Sequence, residues 1–121
     1  MQGLPYKVIF YDKPDGTVPT GEFLLALDKK MRAKMIWTVN VLKAKGPEAR
    51  EPYSKHLSDG IFELRAQMGS DISRVLYFFM VGQRAILTHG FIKKTEKTPP
   101  SEIEKAKRYR SEYVGREENK P

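Results

Sequence analysis

At 121 residues the chain has the size of one small domain, and with 40% apolar residues it can bury one hydrophobic core but not two. It contains no cysteine, which excludes disulfide bonds, thiolate zinc sites and cysteine nucleophiles. Its formal net charge is +7, and the excess lies in residues 20–45 and 93–121. Segregated positive charge favours nucleic acid or an acidic protein as a partner, although solubility alone could also explain it.

The first predicted elements are a strand and a pair of helices. The β-rich stretch YKVIFY, residues 6–11, ends at a turn marked by proline, aspartate and glycine. From residue 20 to about 44, apolar residues recur every three or four positions with lysines and arginines between them, which is typical of an amphipathic helix. Because one helix of that length would exceed the ~30 Å width of a small domain, we expect a break at 27–30. Residues 47–60 have no periodicity and are predicted to form a loop.

Three strands are predicted next, at 61–67, 73–81 and 84–91, and their short connections are typical of an antiparallel meander. The middle strand is apolar on both sides and therefore central. Its apolar run is far shorter than the ~20 residues of a membrane-spanning helix. Since the N-terminus also lacks a signal-peptide pattern, we expect a cytoplasmic protein. Alternation in the last strand places four side chains on one face, namely Ala85, Leu87, His89 and Phe91.

The last predicted element is a helix that begins at Ser101, forms a capping box with Glu104 and ends at Gly115. Residues 115–121 are expected to be a flexible tail of a single domain that spans 1–121. The order β-α-α-β-β-β-α predicts an α+β fold, in which the antiparallel meander packs against helices.

Cations on or beside the predicted sheet are the candidate functional groups, because familiar enzyme motifs are absent. Arg74 lies in an otherwise apolar strand, so its charge must be paired or must face a concavity. Arg65 lies near the same hairpin turn and approaches Arg74 if the two share a face. Two guanidinium groups on one face would repel each other unless an anion lies between them, and phosphate suits their planar bidentate donors. The alternative is an ion pair of either arginine with Glu63.

Other candidates lie at the ends of the strands and in the preceding loop. Lys93 and Lys94 follow the last strand and could complete a ring of cations, although strict alternation turns only one of them inward. Candidate substrate contacts are Lys55 and His56 in the loop, and His89 and Phe91 in the last strand. A histidine on the apolar face of a strand is more often a packed core residue, and this alternative stays open for His89.

Three segments together carry a resemblance to a known family: LSDGIFELR, SRVLYFF and ILTHGFIKKTEKTPPSEIEKAKRY. They resemble the RelE/HigB-like toxins of type II toxin–antitoxin modules, in the branch grouped with phage-derived host-killing proteins. The resemblance spans residues 57–113 in motif detail. It implies a RelE/ParE-like, microbial ribonuclease-type fold and endoribonuclease cleavage of messenger RNA on the ribosome, which stops translation and needs no metal or other cofactor. It also implies neutralisation by a cognate antitoxin, commonly a helix-turn-helix DNA-binding protein, through which alone operator DNA would be bound.

The resemblance also implies roles for individual residues. In such a toxin the 2′-hydroxyl of RNA attacks the adjacent phosphate, and fixed cations stabilise the charge that develops. Arg74 matches the strand arginine of the family, Lys93 or Lys94 stands in the place of a basic residue after the last strand, and Arg65 is a third candidate by position. Some relatives carry a tyrosine or histidine beyond the last strand, where this chain has TEKTPP.

The general base therefore stays open, with Glu63, Lys55, His56, His89 and the ribosome as candidates. Two functions of other classes also stay open: a non-enzymatic gyrase inhibitor like the ParE relatives, and a basic nucleic-acid-binding regulator. Steeply salt-dependent binding to any duplex, without toxicity, would indicate the regulator.

Overall fold

The computed structural model describes residues 5–120 and has a five-stranded mixed sheet with helices on both faces. The order of strands in the sheet is β1-β5-β4-β3-β2; β1 is parallel to β5, and the other neighbours are antiparallel. The predicted α+β class and meander are confirmed, and the arrangement is compatible with a microbial ribonuclease-type toxin fold. The elements are β1 (Lys7–Phe10), α1 (Pro19–Ala26), α2 (Lys29–Lys45), β2 (Ser54–Ser58), β3 (Ile61–Met68), β4 (Asp71–Met80), β5 (Arg84–Lys93) and α3 (Pro100–Glu118).

Helices α1 and α2 cover one face of the sheet, and the predicted break between them is confirmed. Helix α1 ends at Ala26, and α2 begins at Lys29 after Asp28, whose carboxylate accepts a hydrogen bond of 3.0 Å from the Met31 amide. Such a cap satisfies an amide at the helix start that has no partner within the helix. The core on this face is built from α2 and the inward side chains of β3, β4 and β5, among them Met35, Leu42, Leu64, Val75 and Leu87.

Helix α3 covers the opposite face, where Ala106 and Tyr113 are buried against the sheet. It begins one residue earlier than predicted, after Pro99, and no side chain caps it, so the predicted capping box is wrong. The predicted end at Gly115 is also wrong. The helix continues to Glu118, and the Arg116 side chain donates to the Asp12 carboxylate just after β1, which supports the last turn.

The predicted loop over 47–60 is wrong for Ser54–Ser58, which forms β2 and pairs with β3. This segment gives no apolar alternation because Lys55 and His56 are both exposed at the sheet edge. The pairing brings Lys55 opposite Glu63 and His56 opposite Phe62.

The prediction that Ala85, Leu87, His89 and Phe91 share one face of β5 is also wrong. Leu76 pairs with His89 and Tyr77 pairs with Leu87, so Thr88 is an extra residue in a β-bulge. A bulge reverses the faces of the residues that follow it. Leu87 therefore points to α1 and α2, whereas His89 contacts Glu102 of α3. Phe91 consequently joins the α3 face, directly opposite Arg74.

Candidate functional site

The two strand arginines face each other across β3 and β4. Arg65 and Arg74 are direct partners in the antiparallel register, so they share one face of the sheet. An anion does lie between them, and it is the carboxylate of Glu63, two residues before Arg65 on the same strand. Glu63 Oε2 accepts a hydrogen bond from Arg65 Nε, and Glu63 Oε1 lies 3.7 Å from Arg74 Nη1. The alternative of an ion pair with Glu63 is therefore confirmed for both arginines.

Arg74 is fully buried beneath the segment that joins β5 to α3, residues 94–99. Its Nη1 donates a 3.2 Å hydrogen bond to the Thr98 hydroxyl, and its Nη2 donates to the Thr95 carbonyl. The Thr98 hydroxyl in turn donates to Glu63, while Arg74 Nε is buried without a partner. Burial lowers the pKa of Arg74, and the charge of Glu63 offsets part of this effect. In this arrangement Arg74 anchors the 94–99 segment and does not contact solvent.

Arg65 is the member of the pair that reaches the surface. Its side chain is 18% exposed, and its Nη1 lies 2.9 Å from the carboxylate of Glu96, which is itself exposed. Burial lowers the pKa of Arg65, but hydrogen bonds and charge from Glu63 and Glu96 outweigh it, so the net pKa is raised. Arg65 is thus a permanent cation that is paired with the buried carboxylate of Glu63 and with the exposed carboxylate of Glu96.

A cleft of about 510 Å³ opens beside Arg65, between α2, the start of β2 and the end of β3. The Arg65 amide donates to the Tyr53 carbonyl at 2.9 Å, which holds the segment before β2 against β3. The cleft contains three cations, two carboxylates and two aromatic rings: Lys34, Lys55, Arg65, Glu51, Glu96, Trp37 and Tyr53. Cations beside exposed rings can bind phosphate and stack on bases.

Of the residues singled out from the sequence, Arg65 and Lys55 line this cleft. Trp37 and Tyr53 also line it and are not among the residues that the sequence singled out. One signal was available for Trp37, because it lies between positions 35 and 39 of the apolar stripe and therefore off the buried face of the helix. No comparable signal existed for Tyr53, because its segment has no periodicity.

The lysines after β5 do not line this cleft. Lys94 Nζ lies 3.3 Å from the Asp71 carboxylate in an exposed ion pair, and Lys93 is exposed opposite Ile72. The structure thus brings Arg65 to Arg74, and it leaves the two lysines at the outer end of the strand.

The histidines and Phe91 also lie outside the cleft. His56 is exposed and packs edge-on against Phe62, with ring centroids 4.9 Å apart. His89 is buried under α3, with Nε2 3.1 Å from Glu102 and Nδ1 3.0 Å from the Thr88 hydroxyl. Burial lowers the pKa of His89 against the opposing effect of Glu102. Phe91 stacks on the His89 ring, so the core alternative for His89 is confirmed.

Residues 22–111, about three quarters of the chain, match the family described as Phage derived protein Gp49-like (DUF891), which is associated with toxins of toxin–antitoxin systems. No curated protein matches the chain. Within residues 5–120, no three histidine, aspartate or glutamate side chains are grouped so that they could hold a metal ion. No helix in that range has the length and apolar character to cross a membrane.

Proposed function

The chain belongs to the family of Gp49-like phage-derived proteins, and from this premise we propose that it is the toxin of a type II toxin–antitoxin module and a ribosome-dependent endoribonuclease. The observation that carries the proposal is the position of Arg65, a permanent cation at the edge of a cleft that also contains Lys34 and Lys55. RelE/HigB-like toxins, which the chain resembles, cleave messenger RNA on the ribosome.

Arg65 would stabilise the phosphate during transesterification. The 2′-oxygen forms a bond to phosphorus, the bond from phosphorus to the 5′-oxygen breaks, and negative charge develops on the two non-bridging oxygens. The 2′-hydroxyl loses one proton and the leaving 5′-oxygen gains one. Arg65 Nη1 and Nη2 can donate to both non-bridging oxygens once they release Glu96, which accepts from Nη1 through its carboxylate and from Nη2 through its backbone carbonyl; the Glu96 side chain is 79% exposed, so a phosphate can reach and replace it.

The proton carriers are drawn from the groups at the cleft or from the ribosome. Among the four residues named as candidates from the sequence, Lys55 lines the cleft. Glu63 is fully buried between the arginines, and His89 is enclosed by α3. Glu51 and Glu96 are the carboxylates of the cleft and join Lys55 as candidates.

The partners follow from the same proposal. The toxin acts on messenger RNA in the ribosome of the cytoplasm. An antitoxin of the helix-turn-helix type neutralises it, and operator DNA is contacted only through that antitoxin. The net charge of +7 supports association with RNA.

The test compares wild type, Arg65→Ala and Arg65→Lys in translating cells, with growth and the positions of new RNA ends as readouts. Wild type is expected to arrest growth and to cut messages, while Arg65→Ala reduces cleavage by about 100- to 1,000-fold. Arg65→Lys keeps the charge but loses the bidentate fork, so intermediate activity is expected. Uncut messages with damaged DNA would indicate a gyrase inhibitor instead, and a fully active, folded Arg65→Ala variant would reject the role of Arg65.

A further inference from the structure

Trp37 and Tyr53 expose aromatic rings at the same cleft. Trp37 is 62% exposed on α2 and Tyr53 is 37% exposed in the segment before β2. Large exposed aromatic surface at a concavity marks a contact site, because water solvates it poorly. Trp37 is not needed for the core, since the buried stripe of α2 is formed by other residues.

Cations flank these rings. Lys34 lies one helical turn before Trp37 on α2, and its Nζ donates to the Gln67 carbonyl at 2.9 Å, which fixes it beside the cleft. Lys55 is exposed at the start of β2, and Arg65 lies on the adjoining strand. Rings flanked by cations are the combination with which proteins hold unpaired nucleic acid, because every base has a stacking face and every nucleotide carries a phosphate.

The dimensions of the cleft agree with one nucleotide. Its volume of about 510 Å³ lies within the range of roughly 300–1,000 Å³ that is typical of small-molecule sites. A base in a duplex is stacked on both sides by its neighbours and cannot offer a free face to a protein ring. An unpaired base can do so.

We propose that the cleft is a nucleotide subsite in which Trp37 and Tyr53 contact one unpaired base of RNA, while Lys34 and Lys55 bind the flanking phosphates. The inference rests on the proposed nuclease function and deepens it, since it says where a base next to the reacting phosphate is held. An acidic protein segment would use the lysines but would leave both rings without a stacking partner.

Trp37 is the single tryptophan of the chain, so its fluorescence reports directly on this cleft. The probe is a single-stranded 2′-O-methyl oligonucleotide of mixed sequence, which cannot be cleaved by 2′-hydroxyl attack. We expect it to quench the Trp37 fluorescence of the full chain and expect the same strand in a duplex to quench it much less. A polyglutamate peptide is the control for charge alone.

Variants separate the base contact from general attraction, with affinity followed by the anisotropy of a labelled oligonucleotide. Trp37→Ala and Tyr53→Ala are each expected to weaken binding roughly tenfold, and Trp37→Phe to retain most of it. Ile36→Ala is the matched control, because Ile36 is also exposed on α2 but does not line this cleft. Lys34→Ala should weaken binding. It should also reduce the slope of log affinity against log salt concentration by the amount expected for about one phosphate contact.

Three results would overturn the subsite: no quenching by the single strand, equal quenching by polyglutamate, or unchanged affinity of Trp37→Ala. Mapping of RNA ends distinguishes this failure from failure of the nuclease proposal. Cleavage of messages without quenching of Trp37 rejects the subsite and keeps the nuclease. Quenching with the expected variant effects, in the absence of cleavage, supports the subsite and rejects the nuclease.

Discussion

Arg65 and Arg74 have the same chemistry and opposite surroundings. Arg74 forms an ion pair with the buried Glu63 and donates hydrogen bonds to the Thr98 hydroxyl and the Thr95 carbonyl. Arg65 contacts the same carboxylate and also lines the cleft. A buried carboxylate that loses its partner keeps its full desolvation cost. Loss of activity on mutation of Arg74 therefore reports first on the fold, and Arg65 is the residue with which to test chemistry.

This difference predicts unequal effects on stability. Arg74→Ala is expected to lower the free energy of unfolding by about 3–5 kcal/mol, because it leaves Glu63 with less compensation and opens a cavity. Arg65→Ala is expected to cost less, about 1–3 kcal/mol, because Glu63 loses its hydrogen bond from Arg65 but keeps the Thr98 hydroxyl and Arg74, and solvent can reach the space that Arg65 leaves. Urea unfolding at neutral pH measures both. Equal losses in the two variants would contradict this division of roles.

At this scale the sequence predicts which side chains share a face, but not how deeply they are buried. Alternation along β3 puts Glu63 beside Arg65, and the hairpin brings Arg74 opposite. The cover over Arg74 depends on the path of residues 94–99, which have no periodicity from which a path could be derived. From the sequence alone, a completely buried arginine therefore cannot be distinguished from one at the surface.

Among the elements, those with strong periodicity were predicted well, and those without it were not. The break between α1 and α2 follows from the length of the helix, but β2 has two exposed side chains in sequence and lacks the pattern of a strand. The bulge at Thr88 leaves no signal in the composition of β5, and it moves His89 to the other face. Nor does the sequence place Trp37 and Tyr53 in one cleft, because the position of the segment before β2 relative to α2 depends on tertiary packing.

Substitutions at two glycines test how the elements pack, and they are expected to change stability in opposite directions. At Gly90 of β5, a Cβ would lie 2.2 Å from the Phe23 ring of α1, so Gly90→Ala should push α1 from the sheet. The expected loss is about 1–3 kcal/mol. At Gly115 of α3, an added Cβ meets no atom, so Gly115→Ala should gain up to about 1 kcal/mol from helix propensity. Thermal unfolding measures both, and destabilisation by Gly115→Ala would argue against a helix that continues to Glu118.

The end of α3 is held by charge to the segment just after β1, which predicts that stability depends on pH. Arg116 bonds to Glu112 and Asp12, and the Tyr11 hydroxyl donates to Glu112 at 2.8 Å. The bond from Arg116, aided by Tyr11, holds the pKa of Glu112 below its usual 4.5. Because the folded pKa is the lower one, this contribution is complete above about pH 4.5 and is lost as the pH falls through the folded pKa.

Glu112→Gln tests this link. Wild type should have the higher free energy of unfolding near neutral pH. The difference in this free energy between wild type and Glu112→Gln should shrink as the pH falls below about 4.5. Urea midpoints measured at several pH values give the comparison. A gap that stays constant over this range would show that the carboxylate charge contributes nothing.

For the whole molecule, the distribution of charge is the property most relevant to a polyanionic partner. Helix α2 contains six lysines and arginines and no acidic residue. The cleft lies against this helix, so the field at the cleft is more positive than its own three cations and two carboxylates imply. Sequence composition alone predicted this feature, since the excess charge of residues 20–45 is the charge of α2 and its surroundings.

A matched pair of lysine variants follows from this distribution. Lys43→Ala should reduce RNA affinity weakly, because Lys43 lies on α2 away from the cleft. Lys55→Ala removes the same charge from within the cleft and should reduce affinity more strongly. Titrations at several salt concentrations separate the two. Equal losses would indicate that RNA follows the general field and does not occupy the cleft.

The most direct test of the central claim, that Arg65 stabilises charge on a phosphate of RNA held in this cleft, is the chemistry of the RNA ends formed in a purified translation system. The account predicts 2′,3′-cyclic phosphate and 5′-hydroxyl ends with wild type. It also predicts that a single 2′-deoxy substitution at the cut position abolishes cleavage, and that folded Arg65→Ala is slower by about 100-fold or more. Messages that remain intact beside translating ribosomes, or cleavage at the wild-type rate by Arg65→Ala, would contradict it.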